Sequence, residues 1–413
     1  MLLNQKMLEK YANMLVRAGL NVQPRQEVLI SASVEIYPFV TLLVRTCYEA
    51  GARRVQVEWS SSDISVLDYT WVPTDVLQTV QPWQEARYAQ AAENPPAMLS
   101  IMSDDPDALA GLDAGKVAAV MQARQMVMKP YRNRMDGKMQ WLIASAAAPG
   151  WARKVFPDLS EDDAVEALWS QIFSTCYVTE NNDPVADRQA HDTFTMEKAD
   201  WLTKQNFSAL RYHSTNGTDF SVALISGAKW CAAGEINETN GAFYVPNMPT
   251  EEVFTSPYAG RCEGTLVSTR PLSWNGQLIE NFSITFENGR AVSCQAEVGQ
   301  NVLEQILQMD ENAAMLGEVA LVPKESPINQ SGLLFFNTLF DENAACHVAL
   351  GRGFKEVLPD GNSLSAEEAM EKGINDSLIH VDFMVGSDDL SVTGIRADGT
   401  EVPVFVNGTW ATQ

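Results

Sequence analysis

The stretch SLIHVDFMVG, residues 377–386, sets His380 two places before Asp382 in an otherwise apolar run. In an extended chain, residues two apart share a face, so this imidazole and carboxylate project together while Ile379, Val381 and Phe383 fill the other side. Burying an isolated carboxylate is costly, and a hydrogen-bonding partner or a metal ion removes that cost. The motif therefore has two readings, an Asp–His pair inside a core strand or two ligands of a metal. Only four histidines occur in the chain. His347, in DENAACHVALG, is again polar in apolar surroundings, whereas His191 in an amphipathic helix and His213 beside a turn are expected at the surface. Glu318 in MLGEVALVP either enters a site or is the solvated first residue of an apolar run. Glu251 and Glu252, in NMPTEEVFTSP, face opposite ways in an extended chain, so at most one can enter a given site. Cys346 points away from the His347 face and, with no base paired to it, reads as a small buried apolar residue rather than a nucleophile. Asp341, Glu342 and Asn343 either orient His347 through hydrogen bonds or form a turn.

The elements that must hold these residues follow from periodicity. The first half alternates helical and strand-like runs: a helix over 3–18, a strand over 27–33, a helix over 35–51 closed by Gly51, and an alternating strand over 53–59. A strand over 97–103, a helix over 115–129 and a strand over 139–145 repeat the pattern, and helices over 161–178 and 184–204 follow. Strands separated by helices imply an α/β domain with a mostly parallel sheet, assigned to residues 1–205. No glycine-rich phosphate loop accompanies it, so the sheet alone gives no warrant for a nucleotide. Residues 206–413 read as an α+β, mainly antiparallel domain. ALRYHS and DFSVALIS flank an Asn-Gly hairpin turn, and helices over 301–317 and 365–372 interrupt the strands.

Bulk composition excludes several classes. A hydrophobic fraction of 46% with 20% charged residues describes a folded chain, and 413 residues make two domains the default. A formal charge of −24 with no Lys/Arg cluster repels a phosphate backbone, which argues against nucleic acid. No apolar run approaches the roughly 18 residues needed to cross a bilayer. The N-terminal stretch reads as an amphipathic helix, not a signal peptide, and six cysteines without a C-x-x-C pair fit a reduced, cytoplasmic protein.

In order along the chain, NMPTEEVFTSP, EGTLVSTRPL, IENFSITFENGR, LGEVALVP, FDENAACHVALG and SLIHVDFMVGSDDL closely resemble the thermophilic-type metalloaminopeptidases, the aminopeptidase T / aminopeptidase S family. APGWARKVFPDLS, residues 148–160, extends the likeness into the first half, so it covers nearly the whole chain. The resemblance implies an α/β N-terminal domain, a C-terminal domain carrying the metals, and homodimers acting on peptides. It implies two divalent ions per subunit (zinc, cobalt or manganese) that activate a water. The ligands it implies are Glu252, Glu318, His347, His380 and Asp382; one carboxylate should bridge the ions, and Glu318 is the candidate. One position departs: where the family pattern has a tyrosine seven residues after the HVALG histidine, this chain has Phe354. A phenyl ring can neither ligate a metal nor donate a hydrogen bond to an oxyanion. The expectation is a working or weakened peptidase, another hydroxyl such as that of Tyr258 or Tyr244 replacing the lost one, or altered chemistry. Two other functions remain open: a mononuclear iron oxygenase using His347, His380 and one carboxylate, and a silent peptide-binding homologue.

Overall fold

The computed structural model describes residues 4–274 and 276–411. Two compact units divide the chain: Met1–Gln189 with Gly234–Met248, and Ala190–Ala233 with Pro249–Gln413. The division falls inside the helix Pro184–Gln205, upstream of the boundary expected near residue 205, and the excursion 234–248 returns to the first unit.

The first unit is built on a four-stranded parallel sheet, ordered Arg54–Ser60, Glu27–Ser33, Ala97–Met102, Trp141–Ser145. Its central strand buries Val28, Ile30 and Ala32. The following helix, Tyr37–Glu49, takes Pro38 in its first turn, where a missing N–H is tolerated. It stops at Gly51, whose φ of +100° is the left-handed conformation that a C-terminal cap requires. Phe39, Val40, Leu43 and Cys47 form its buried stripe. The N-terminal helix covers Gln5–Met14 and continues as a π-turn, Leu15–Gly19; the Leu3 of the expected element lies outside the described residues. Three helices, Ser62–Trp71, Thr74–Gln78 and Pro82–Glu93, escaped the periodicity argument. They bury almost nothing: Trp71 is 78% and Trp83 65% exposed, so no apolar stripe announces them. The helix Ala114–Met135 runs on through Pro130, past the expected stop at 129.

The second unit contains a nine-stranded antiparallel sheet and a five-stranded antiparallel sheet. The expected hairpin is present, with Ala209–His213 paired to Asp219–Leu224 and Gly217 at φ +108° in the turn. The five-stranded sheet runs His380–Met384, His347–Gly351, Leu316–Leu321, Val253–Thr255, Cys231–Ala232. Its register sets Ala349 opposite both Asp382 and Glu318, and Gly351 opposite His380. On one face, Val319, Leu321, Val348, Leu350, Val381 and Phe383 join the main core. The expected helix over 301–317 is shorter, Gln300–Leu307. The Asp310 carboxylate accepts the N–H groups of Asn312 and Leu378 and the Ser377 hydroxyl. These bonds stabilise a turn there, and the chain re-enters the sheet at Leu316. No helix among the described residues is long and apolar enough to cross a membrane.

Candidate metal centre

Strand alternation fills one face of the five-stranded sheet with apolar side chains, and the same alternation sends the polar ones to the other. Glu318, His347, His380 and Asp382 therefore share that second face, with Ala320, Ala349 and Gly351 between them. Two groups of donors result, each with ligand atoms within 4.8 Å of one another: Glu252, Glu318 and His347, and Glu318, His380 and Asp382. Glu318 is common to both. His347 Nε2 lies 3.2 Å from Glu252 Oε2, and His380 Nε2 lies 3.1 Å from Glu318 Oε2 and 3.3 Å from Asp382 Oδ1. Glu318 is only 4% exposed, so it is not the solvated start of its strand. His380 keeps 27% of its side chain accessible, which leaves the group an opening.

Backbone carbonyls orient both imidazoles. His347 Nδ1 lies 3.0 Å from the Ala345 carbonyl and His380 Nδ1 2.7 Å from that of Arg352. A carbonyl can only accept, so each Nδ1 carries a proton and each Nε2 faces the carboxylates. Burial opposes charge on His347, but the Glu252 hydrogen bond, reinforced by Asp382 and Glu318, pushes the imidazole up to about 10. His380 is likewise raised well above its usual value, burial being outweighed by Asp382 and Glu318. Burial raises Glu318 to about 7 against the pull of His380, with Glu252 and Asp382 adding to the rise. Asp382 is held low despite burial because both imidazoles favour its charge.

The triplet Asp341–Glu342–Asn343 divides its labour. Asp341 accepts the backbone N–H groups of Phe335 and Asn337 at 2.8 and 3.0 Å and so straps a loop. Asn343, fully buried, accepts the Glu251 N–H at 2.7 Å and donates to the Leu339 carbonyl, fixing the chain that presents Glu252. Glu342 is the functional candidate that sequence reasoning left undecided. Its helix, Thr338–Glu342, packs on the His380–Met384 strand. Burial raises its carboxyl well above the usual range, and Asp382 and Glu252 raise it further, while His347 opposes them. A carboxylate beside a turn looks solvated in the sequence; only the tertiary packing reveals it.

His191 corrects an expectation. It is not a surface residue: its Nε2 lies 3.0 Å from Glu251 Oε2, with side chains 15% and 5% exposed. Glu251 and Glu252 thus take different histidines, as opposite-facing neighbours must. His213 is exposed as expected. Cys346 faces away from the donors, its thiol bonded to the Val322 backbone.

Phe354 packs its ring 5.0 Å from that of His380 and 5.5 Å from Phe254, while its N–H donates to Ser256 Oγ at 2.8 Å. Neither expected substitute hydroxyl makes a described contact with the donors. The Tyr258 ring lies 4.0 Å from the Arg261 guanidinium, and Tyr244 donates to Glu235 at 2.6 Å within the first unit.

The donor set fits divalent cations. Carboxylate oxygens and imidazole nitrogens are borderline-hard ligands, and Asp382 Oδ1 is buried with no aligned hydrogen bond. Six acidic and imidazole groups crowded together repel or share protons unless cations neutralise them.

Comparison with known proteins agrees with this geometry. A family model described as thermophilic metalloprotease (M29) matches residues 4–410. Aminopeptidase AmpS of Bacillus subtilis (strain 168) is 42% identical over 405 residues, covering 98% of each chain. The structure of wild-type AmpT from Thermus thermophilus superposes with a TM-score of 0.91 at 38% identity, covering 99% of this chain and 100% of that one. A 2,5-dihydroxypyridine dioxygenase from Pseudomonas putida KT2440 matches with a TM-score of 0.52 at 11% identity over 99% and 97% of the two chains, a likeness of fold alone.

Proposed function

The chain belongs to the thermophilic metalloprotease (M29) family, and from that premise we propose that it is a metal-dependent aminopeptidase releasing N-terminal residues from short peptides. In this reading Glu252, Glu318, His347, His380 and Asp382 hold two divalent ions (zinc, cobalt or manganese). The observation that carries it is the membership of Glu318 in both donor groups, which suits a carboxylate shared between two ions. Such an ion pair, when bound, polarises a carbonyl and lowers the pKa of water.

The remaining work falls to the protein's own groups. The Ala345 and Arg352 carbonyls fix the Nδ1–H tautomers, so Nε2 of each histidine is the ligating atom. Ala320, Ala349 and Gly351 leave the donor face without bulky side chains. Glu342 lies outside both donor groups yet interacts electrostatically with Glu252, Glu318 and Asp382. We assign it the acid–base role, taking a proton from the attacking water and returning it to the departing amine.

A mononuclear iron oxygenase would need two imidazoles and a carboxylate on one ion. Here His347 and His380 fall in separate donor groups, which favours the two-ion hydrolase. The test supplies peptides with free and acetylated N-termini together with Zn²⁺, Co²⁺ or Mn²⁺. Cleavage of the free form alone is expected; equal cleavage of both forms, or none with any ion, would overturn the proposal.

A further inference from the structure

A cavity of about 470 Å³ opens in the second unit at the end of the five-stranded sheet, and no metal-donor residue lines it. Thr269, Arg270, Lys324, Leu333, Ala345 and Asp388 are among its lining residues. Arg270 is pre-organised: Nη1 donates to the Leu333 carbonyl at 3.0 Å and Nη2 to Asn329 Oδ1 at 2.7 Å. Both acceptors are neutral. Two hydrogen bonds leave three of the five guanidinium N–H donors; among the described residues no carboxylate comes within ion-pair distance of Arg270 or Lys324, although the buried Asp341 carboxyl interacts with Arg270 electrostatically. The one lining carboxylate, Asp388, is exposed and therefore well solvated. A half-buried guanidinium with spare donors and a second cation suit a carboxylate, which Arg recognises through paired N–H···O bonds. Leu333 and Leu334 add apolar wall.

The cavity adjoins the donor groups along the chain. Its Ala345 carbonyl is the partner of His347 Nδ1. Its Thr269 N–H donates at 2.9 Å to the carbonyl of Met384, the residue paired with His347 across the sheet.

We propose that this cavity is a carboxylate pocket that takes the C-terminal carboxylate of a short peptide substrate. The proposal rests on the aminopeptidase reading for the identity of the substrate, while the pocket itself can be tested without cleavage. Calorimetric titration of the intact protein with N-acetyl-trialanine and with its C-terminal amide reads binding directly. The free acid should bind about tenfold more tightly, and Arg270→Gln should bring the ratio near one. Because Arg270 also ties down a loop, Lys324→Gln serves as a second variant that should reduce the ratio, and Arg270→Lys should restore part of it. Equal binding of acid and amide by the native protein, or an unchanged ratio in both glutamine variants, would overturn the pocket. Propionate separates the sources of the carboxylate: weak competition at millimolar concentration supports a peptide terminus, whereas binding as tight as the tripeptide's would overturn that assignment. A preserved acid preference in a protein that cleaves no peptide would uphold the pocket and sink the peptidase reading instead.

Discussion

The parallel sheet of the first unit and the five-stranded sheet of the second both bury their central strands, but they bury different chemistry. Among the described residues of the first unit, no Asp, Glu or His is buried. Its sheet is filled by Val28, Ile30, Ala32, Leu99, Leu142 and Ala144, with occasional hydroxyls such as Ser145. The second unit buries Asp192, Glu251, Glu318, Asp341, His347 and Asp382, and three of these stand in the five-stranded sheet beside His380. Apolar burial stabilises wherever it occurs, whereas buried carboxylates and imidazoles persist only where partners or cations offset their desolvation. The contrast locates the working part of the molecule without reference to any relative.

Substitutions that cross this divide should separate folding from function. His347→Ala or Glu318→Gln should lower kcat/KM by about 10³-fold or more, since removing a ligand forfeits several kcal/mol of charge stabilisation. Bound-metal analysis should fall in step. Ser145→Ala, in the parallel sheet, removes a buried hydroxyl with no hydrogen-bond partner, and should leave both readings unchanged and stability equal or higher. A loss of activity there would break the comparison.

Within the five-stranded sheet the two faces make the same division more sharply. Phe383 is 1% exposed and packs against Phe282, the rings tilted with centroids 5.5 Å apart; Phe383→Ala should cost about 3–5 kcal/mol in urea unfolding while the folded fraction retains its metal capacity. Phe354→Tyr should raise kcat by about 10²-fold if a hydroxyl near His380 supplies a missing ligand or oxyanion donor. An unchanged rate would show that the site works without one.

The parallel sheet, the hairpin and the grouping of His380 with Asp382 were legible because each rests on local periodicity: alternation of two along strands and a helical stripe between them. The exposed helices 62–93 were not, because Trp71 and Trp83 point outward and leave no stripe. His191 and Glu342 were hidden for a different reason. Their surroundings are made by segments remote in sequence, Glu251 for the one and the strand bearing Asp382 for the other. The helix over 301–317 was overextended because the Asp310 turn depends on Ser377 and Leu378, about seventy residues downstream. The proposed ligand set rests on resemblance rather than spacing, since five residues spread from Glu252 to Asp382 carry no local signature.

The smallest expected effect concerns pH. The Thr215 and Ser387 hydroxyls, the Thr215 N–H and the Ser214 hydroxyl hold the Asp389 carboxyl well below the usual carboxylate range. A depressed folded-state pKa contributes stability that is fully present above about 4, the unfolded value, and is lost as pH falls below it. Asp389→Asn should therefore lower Tm slightly at pH 7, with the gap from the native protein closing toward pH 2. A gap that stays constant or widens in acid would contradict the assignment.

The most direct measurement is the number of ions bound per chain at saturating Zn²⁺, Co²⁺ or Mn²⁺, by equilibrium dialysis and elemental analysis. Two per chain are expected, falling to one or none in Glu318→Gln because that carboxylate serves both groups. A single ion per chain, or two ions undisturbed by loss of Glu318, would contradict the paired centre.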